Sequence, residues 1–78
     1  MSYTTEYIDE VNVLMLFDVS NHQEGIKVHK EAGEDAVKAT MRLFKKGLVT
    51  QEDGGYLTDL GLEASEHAQS LFMMMSSN

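Results

Sequence analysis

The chain has 78 residues, of which 42% are hydrophobic, and it contains no cysteine. This length supports one small hydrophobic core, because two cores would each be too small for burial to offset the entropy of the chain. The absence of cysteine excludes disulfides, thiolate metal sites and a cysteine nucleophile. We therefore predict a single domain over residues 1–78, with residues 75–78 frayed at its end.

The formal net charge is −7, which argues against a polyanionic partner. This charge is unevenly distributed, with −5 over residues 1–26, +3 over residues 27–46 and −5 over residues 47–78. All the basic residues lie in the middle segment: Lys27, Lys30, Lys38, Arg42, Lys45 and Lys46. Any attraction to an anionic partner must therefore come from this segment.

The opening residues, MSYTTEYIDE, lack the basic and apolar regions of a secretory signal. The longest apolar run, residues 13–17, is too short to cross a bilayer. We therefore expect a cytoplasmic protein that does not associate with a membrane.

A first helix is predicted at about residues 5–16. Thr4 or Thr5 can cap its start, and Glu6 lies in its first turn, where a negative charge complements the helix dipole. Apolar residues then recur at helical spacing: Ile8, Val11, Leu14 and Met15. This spacing predicts one apolar face on the helix.

The next segment predicts a short second helix. Ser20 and Gln23 fit the S-x-x-Q capping box, which favours a helix that begins at Asn21. After it, Ile26 and Val28 alternate with polar residues. This alternation favours a short strand, although the same residues could continue the second helix.

A third helix is predicted from Glu34 to Lys46, because acidic residues open it, lysines close it and Gly47 suits the left-handed position beyond its end. Its predicted apolar face consists of Val37, Thr40, Met41 and Phe44, widened by Ala36 and Leu43. Lys38, Arg42 and Lys45 recur at i, i+4 and i+7 on the opposite side, where they form a narrow basic stripe.

Residues 48–57 predict a hairpin, followed by a C-terminal helix capped by Thr58. Asp53-Gly54 is the strongest turn dipeptide, because both central positions of a tight hairpin require positive φ. Apolar and small residues then recur on one face of the helix: Leu60, Ala64, His67, Ala68, Leu71 and Met75. Other large apolar residues lie off this face, which favours a homodimer through the helix. The candidate dimer contacts are Leu62, Leu71, Phe72 and Met73.

The stretch LFKKGLVTQEDGGYLTDLG resembles the winged-helix segment of many small bacterial regulators. In those proteins a recognition helix ends in K-G-L-V, a wing follows, and L-T-x-x-G opens a C-terminal helix; the matching residues here are 46–49 and 57–61. Over nearly its full length the chain is also similar to a family of short uncharacterised bacterial proteins often labelled as DNA-binding. The resemblance implies an α+β winged helix-turn-helix fold with three to four helices, a small antiparallel β-hairpin wing and a C-terminal helix.

This resemblance and the basic segment give a first functional hypothesis. It is a homodimeric DNA-binding winged-helix protein, a transcriptional regulator, that contacts duplex phosphates through the third helix. The candidate DNA-binding residues are Lys38, Arg42, Lys45 and Lys46, flanked by Lys27 and Lys30.

The alternative is a winged-helix protein–protein interaction module that binds no nucleic acid. Glu34 and Asp35 open the third helix, and Glu52 and Asp53 occupy the wing tip. In a DNA-binding winged helix these two places face the bases and the phosphates, where acidic side chains are unfavourable. The basic stripe also fits an ordinary solvated helix face, since Glu34 precedes Lys38 by one turn.

No residue pattern points to an enzyme or to a cofactor. The serines lack the context of a nucleophile elbow: Ser20, Ser65 and Ser70. The histidines match no metal-binding motif: His22, His29 and His67. We therefore predict no catalytic residues, no cofactor and no metal site.

Overall fold

Three α-helices and a small antiparallel sheet make up the described part of this chain, which confirms the predicted α+β class. The structure is a computed structural model that describes residues 1–21 and 23–77. In chain order the elements are α1 (Thr5–Leu14), β1 (Ile26–Lys27), a 3₁₀ turn (Lys30–Ala32), α2 (Glu34–Lys45), β2 (Val49–Gln51), β3 (Gly54–Leu57) and α3 (Asp59–Ser76). The strands are ordered β1-β3-β2, so the hairpin of β2 and β3 is joined on its β3 side by the early strand β1.

Two of the predicted N-caps, Thr4 and Thr58, hold the start of a helix. The Thr4 hydroxyl accepts a hydrogen bond from the Tyr7 amide at 3.1 Å, and the Thr58 hydroxyl accepts one from the Gly61 amide at 3.0 Å. Each bond satisfies an amide that has no partner inside its own helix. Helix α1 ends at Leu14, two residues earlier than predicted, and α3 continues through Ser76, into the segment predicted to fray.

The predicted second helix at Asn21 is wrong for the described residues of this segment, which form turns. Asp18 accepts a hydrogen bond from the Ser20 amide at 2.9 Å, and Asn21 accepts one from the Gln23 amide at 3.1 Å. Such side-chain bonds to an amide two residues ahead compete with helix formation. The strand prediction that follows is confirmed by β1, which pairs with β3.

The hairpin is present, but its turn is shifted by one residue from the prediction. Glu52 and Asp53 form the turn, and positive φ occurs at Gly54 (121°) and Gly55 (72°) instead of at Asp53. Between the pairs Gln51↔Gly54 and Val49↔Leu57, β3 has one residue more than β2, which is a β-bulge. A glycine with positive φ accommodates such an extra residue, so the two glycines serve the bulge.

The two motifs that carried the family resemblance meet in one junction. Gly47, with φ of +79°, ends α2, and the Leu48 carbonyl that follows accepts a hydrogen bond from the Thr58 amide at 3.1 Å. The Thr58 hydroxyl donates to the Gly47 carbonyl at 2.6 Å. The first turn of α3 lies so close to this backbone that a Cβ on Gly61 would overlap the Leu48 carbonyl. The glycine of the L-T-x-x-G motif is therefore required because a side chain at position 61 would not fit.

The core lies between α1, α2 and the sheet. Its buried hydrophobic residues are Val13, Leu14, Phe17, Val28, Ala39, Leu43 and Val49. Helix α3 adds small residues to it, since Gly61 and Ser65 are its buried members and the Ser65 hydroxyl donates to the Leu14 carbonyl at 2.9 Å. Gln69 donates to the Phe17 carbonyl at 3.1 Å, so two polar bonds fix α3 against the end of α1.

The predicted helix faces are partly wrong. In α2, Met41 and Phe44 are each 39% exposed, while Ala39, which was not assigned to the face, is buried beside Thr40 and Leu43. In α1, Ile8 is 49% exposed and Glu10 is buried. In α3, the large members of the predicted face are exposed: Leu60, Leu71 and Met75. The helices contact one another through smaller residues than hydrophobicity alone suggests.

The close approach at Gly61 can be tested by Gly61→Ala. Alanine favours a helix interior by about 1 kcal/mol over glycine, but here its Cβ must displace the Leu48 backbone, so we expect a net loss of roughly 2 kcal/mol or more in the free energy of unfolding. Urea unfolding followed by circular dichroism measures the change. Ser70→Ala, at an exposed position of the same helix, is the control and should change stability little. A Gly61→Ala variant as stable as the parent would contradict the junction.

Candidate functional site

Helix α2 divides the predicted basic residues between two directions. Successive residues in a helix are rotated by about 100°, which sets Lys38 and Lys45 on the outward side of the helix, the side of Glu34, at different distances along its axis. Arg42 and Lys46 lie on the flank of the helix that faces α1, where both bind Glu10. The stripe predicted from Lys38, Arg42 and Lys45 is therefore not one continuous surface.

Glu10 lies at the centre of an ionic cluster between α1 and α2. Although it is charged, it is only 5% exposed. Its Oε2 accepts a hydrogen bond from Arg42 Nε at 3.0 Å, and its Oε1 accepts one from Lys46 Nζ. We refer to Glu10, Arg42 and Lys46 as the Glu10 clasp. A buried carboxylate is costly unless it is paired and hydrogen-bonded, and the clasp provides both.

The surroundings of the clasp hold the two cations in place. Arg42 Nη2 donates to the Glu6 carbonyl at 3.2 Å, and Lys46 Nζ lies 4.9 Å from the centre of the Tyr7 ring, in the geometry of a cation–π contact. The hydrogen bond that it donates to Glu10 raises the pKa of the Arg42 guanidinium above its ordinary value. Both cations therefore have established partners within the chain.

Lys38 has a weaker partner. Its Nζ lies 2.9 Å from Glu34 Oε1 one turn earlier, and both side chains are exposed. Their hydrogen bond lowers the pKa of Glu34 and raises the pKa of Lys38. Exposed ion pairs of this kind add little to stability and are screened by salt, so Lys38 can exchange this partner for another anion.

The remaining candidate cations are exposed and lie on three different elements. Lys27 is in β1, Lys30 is in the 3₁₀ turn, and Lys45 is in the last turn of α2. Glu34 and Asp35 are exposed at the opposite end of that helix, and Glu52 is exposed in the turn between β2 and β3. The outward positive charge is therefore restricted to isolated lysines.

A second surface is an apolar groove between α1 and α3, with a volume of about 520 Å³. We call it the α1/α3 groove. Its lining residues are Tyr3, Ile8, Val11, Asn12, Leu14, Met15, Ala64, His67, Ala68, Leu71, Phe72 and Met75. Of the candidate dimer contacts, Leu71 and Phe72 line it, Met73 is exposed outside it, and Leu62 lies partly buried beside a separate small cleft near Phe17.

Sequence reasoning missed Glu10 and the contribution of α1 to the groove. Glu10 precedes Val13 and Leu14 by three and four residues, which places it on their side of the helix. That position of a carboxylate on a core-facing side is a signal for a buried ion pair. Ile8, Val11, Leu14 and Met15, the apolar face predicted for α1, all line the groove, and Leu14 also belongs to the core.

The described residues show neither a metal site nor a membrane span. Among residues 1–21 and 23–77, no three His, Asp or Glu side chains come together as ligands for a metal ion. His29 is exposed, and His67 lies 3.9 Å from Glu63 one turn earlier. His22 is outside the described residues. Within the same ranges, no helix has both the length and the apolar character needed to cross a bilayer.

Comparison with known proteins identifies a family but no activity. Residues 1–76 match the family of unknown function DUF5669. The chain belongs to this family. No curated protein and no solved structure matches the chain. The prediction of a small protein from an uncharacterised family is thereby confirmed, whereas the winged-helix and DNA-binding labels stay predictions.

Glu10→Gln tests the clasp. The amide keeps the shape of the side chain but removes the charge that both cations face, so we expect a loss of about 1–3 kcal/mol in the free energy of unfolding, the range for a disrupted buried polar pair. Urea unfolding measures it. Glu6→Gln is the matched control, because Glu6 is exposed and its carboxylate lies 4.0 Å from Arg42. Equal effects of the two substitutions would show that Glu10 has no special role.

Proposed function

We propose that this chain is a winged-helix protein–protein interaction module, that it forms homodimers and that it does not depend on nucleic acid for its function. The order of helix, strand, short turn, helix, hairpin and helix supports the winged-helix arrangement, with α2 in the position of the recognition helix and the β2–β3 hairpin as the wing. Fold alone does not establish function, so the proposal rests on the surfaces.

The Glu10 clasp is the observation that carries the proposal. In it, Glu10 binds Arg42 and Lys46, which are two of the four basic residues of α2 and its C-cap, on the flank facing α1. A phosphate that replaced Glu10 would have to leave a buried carboxylate without its counter-charges, which is unfavourable. DNA binding draws most of its affinity from phosphate contacts, so two fewer cations weaken it strongly.

Acidic groups add to this argument. Glu34 and Asp35 are exposed at the start of α2, the end that a recognition helix presents to base edges. Glu52 is exposed at the tip of the proposed wing. In a chain with a net charge of −7, these groups repel DNA phosphates at the two surfaces with which a winged-helix protein contacts DNA.

The outward side of α2 suits a protein partner. Met41 and Phe44 are each 39% exposed; around the helix Met41 lies near Lys38 and Lys45, and Phe44 lies at the edge of this surface, about 100° from Lys45. Aromatic and methionine side chains are enriched in contacts between proteins, and the two lysines favour a partner of negative charge. We propose that this side of α2, defined by these four residues, docks on an acidic partner.

The proposed homodimer forms through α3, as the sequence predicted from its excess apolar surface. Leu71, Phe72 and Met73 are between 44% and 67% exposed in the single chain. A chain of this length buries only about 60–65% of its unfolded surface, so a partner subunit adds useful burial.

Affinity capture from cell extract, with and without nuclease, tests the interaction proposal. We expect a protein partner that survives nuclease treatment and is lost with Met41→Ser plus Phe44→Ser, because these substitutions remove the apolar part of the α2 surface. Leu16→Ser is the control, since Leu16 is 61% exposed but lies in the turn after α1. Recovery of nucleic acid alone, lost on nuclease treatment, would overturn the proposal.

DNA binding is the second candidate, favoured by the outward lysines. Lys38 and Lys45 lie on the exposed side of α2, and Lys27 and Lys30 are exposed on neighbouring elements. In this reading these four lysines contact phosphates, and Arg42 and Lys46 join them only if the clasp opens.

A salt titration on mixed-sequence duplex DNA separates the two candidates. Under the interaction proposal, we expect no measurable affinity even at about 50 mM salt, and affinity that appears in Glu10→Gln as Arg42 and Lys46 are released. Binding by the parent chain that weakens with salt would support the second candidate. Its slope on a log–log plot should then fall by about 2 in Lys38→Ala plus Lys45→Ala, because two phosphate contacts are removed.

A further inference from the structure

The single chain exposes more surface than a folded monomer of its size. Its accessible surface is 5686 Å² for a mass of 8.7 kDa. Folded monomers of that mass expose about 4,700 Å² by the scaling of surface with mass, so the excess is on the order of 950 Å². One partner in a standard protein–protein interface buries about 800 Å², so the excess matches one side of such an interface.

Several of the exposed large apolar side chains line the α1/α3 groove. Ile8 is 49% exposed, Leu71 44%, Phe72 55% and Met75 71%. A helix rises about 1.5 Å per residue, so the 18 residues of α3 span about 27 Å and the 10 residues of α1 only about 15 Å. Helix α3 is therefore about 12 Å longer than α1.

The groove also lacks formal charge. Its twelve lining residues include no Asp, Glu, Lys or Arg, although these make up 24% of the chain. When a surface pairs with its own copy across a two-fold axis, the two halves carry the same net charge, which disfavours pairing through the acidic parts of this chain and does not penalise an uncharged groove. A groove that binds a basic partner would be expected to have acidic lining residues, and this groove has none.

We infer that the α1/α3 groove is the homodimer interface, in which the groove of one chain receives the last turns of α3, Leu71 to Met75, from a second copy, and donates its own in return. This inference rests on the proposed homodimer and identifies its surface. It assigns Ile8 and Val11 of α1 to the interface together with Leu71 and Phe72 of α3. It places Leu62 outside the interface, and it leaves Met73 at its edge.

The chemistry of the lining suits this arrangement. Methionine side chains are flexible and fill irregular gaps, and Phe72 supplies a large apolar contact at the end of the helix. Ala64 and Ala68 line the inner side of the groove, where their small side chains leave room for the partner. The interface is then a set of large side chains from one chain packed over small ones of the other.

Sedimentation equilibrium over about 1–500 μM protein tests the inference. We expect a dimer for the parent chain and an increase of at least about 30-fold in the dissociation constant for Ile8→Glu and, separately, for Leu71→Glu, the effect of losing a central interface contact. Both residues are exposed in the single chain, so circular dichroism should show each variant folded. Tyr56→Glu is the control, because Tyr56 is 46% exposed on the sheet and should leave the dimer intact.

Because the two substitutions lie in different helices, the test does not depend on the folding of one variant. Two results would overturn the inference. The first is a parent chain that stays monomeric throughout, which removes the homodimer but leaves the proposed docking of α2 to be judged by affinity capture. The second is a dimer that withstands Ile8→Glu and Leu71→Glu but dissociates with Met73→Glu, which would place the interface on the other side of α3. A monomer with a small apolar molecule bound, detected by native mass spectrometry, would overturn the inference in the same way as the first result.

Discussion

The carboxylate of Glu10, buried between α1 and α2, fixes how the two helices face each other. A charge in this position needs counter-charges and hydrogen bonds, and Arg42 and Lys46 supply them from one flank of α2. Because these residues are four apart on a helix, binding both to one carboxylate determines the rotation of α2 about its axis. That rotation turns Ala39 and Leu43 into the core and leaves Met41 and Phe44 partly exposed.

The same interaction changes what the charge of the chain means. Residues 27–46 carry a formal charge of +3, but two of their cations are bound to a carboxylate from outside the segment. Lys38 is also paired, with Glu34. The positive charge available to a partner is therefore much smaller than the composition of the segment suggests, and it lies next to exposed apolar side chains. A surface of this kind fits a protein better than the continuous phosphate backbone of a duplex.

The packing of α3 explains why a chain this small has a large apolar groove. At its start, α3 approaches the backbone of Leu48 so closely that only glycine fits at position 61. Further along, Ser65 and Gln69 attach it to the end of α1 through hydrogen bonds to Leu14 and Phe17. Small and polar residues thus make the contacts with the core, and the large apolar residues of the last turns stay partly exposed, without a partner that covers them fully within the described chain. In the proposed homodimer, a second copy supplies that partner.

The sequence by itself determined the features whose causes are local. Thr4 and Thr58 cap their helices, Gly47 ends α2 with a positive φ, and the alternation at Ile26 gives a strand, because each depends on residues a few positions apart. The cluster of basic residues and the excess apolar surface of α3 could likewise be read from composition and spacing. Their use as surfaces could not.

Only the tertiary structure decided which residues face the core and which cations are free. Glu10 is separated from Arg42 by 32 residues and from Lys46 by 36, and spacing within either helix contains no information about that pairing. The α1/α3 groove combines residues from both ends of the chain, so it exists only after the helices have packed. Even the hairpin turn moved by one residue, since the bulge in β3 depends on its pairing with β2. Local bonds fix helices and strands, whereas the directions in which they face depend on partners distant in sequence.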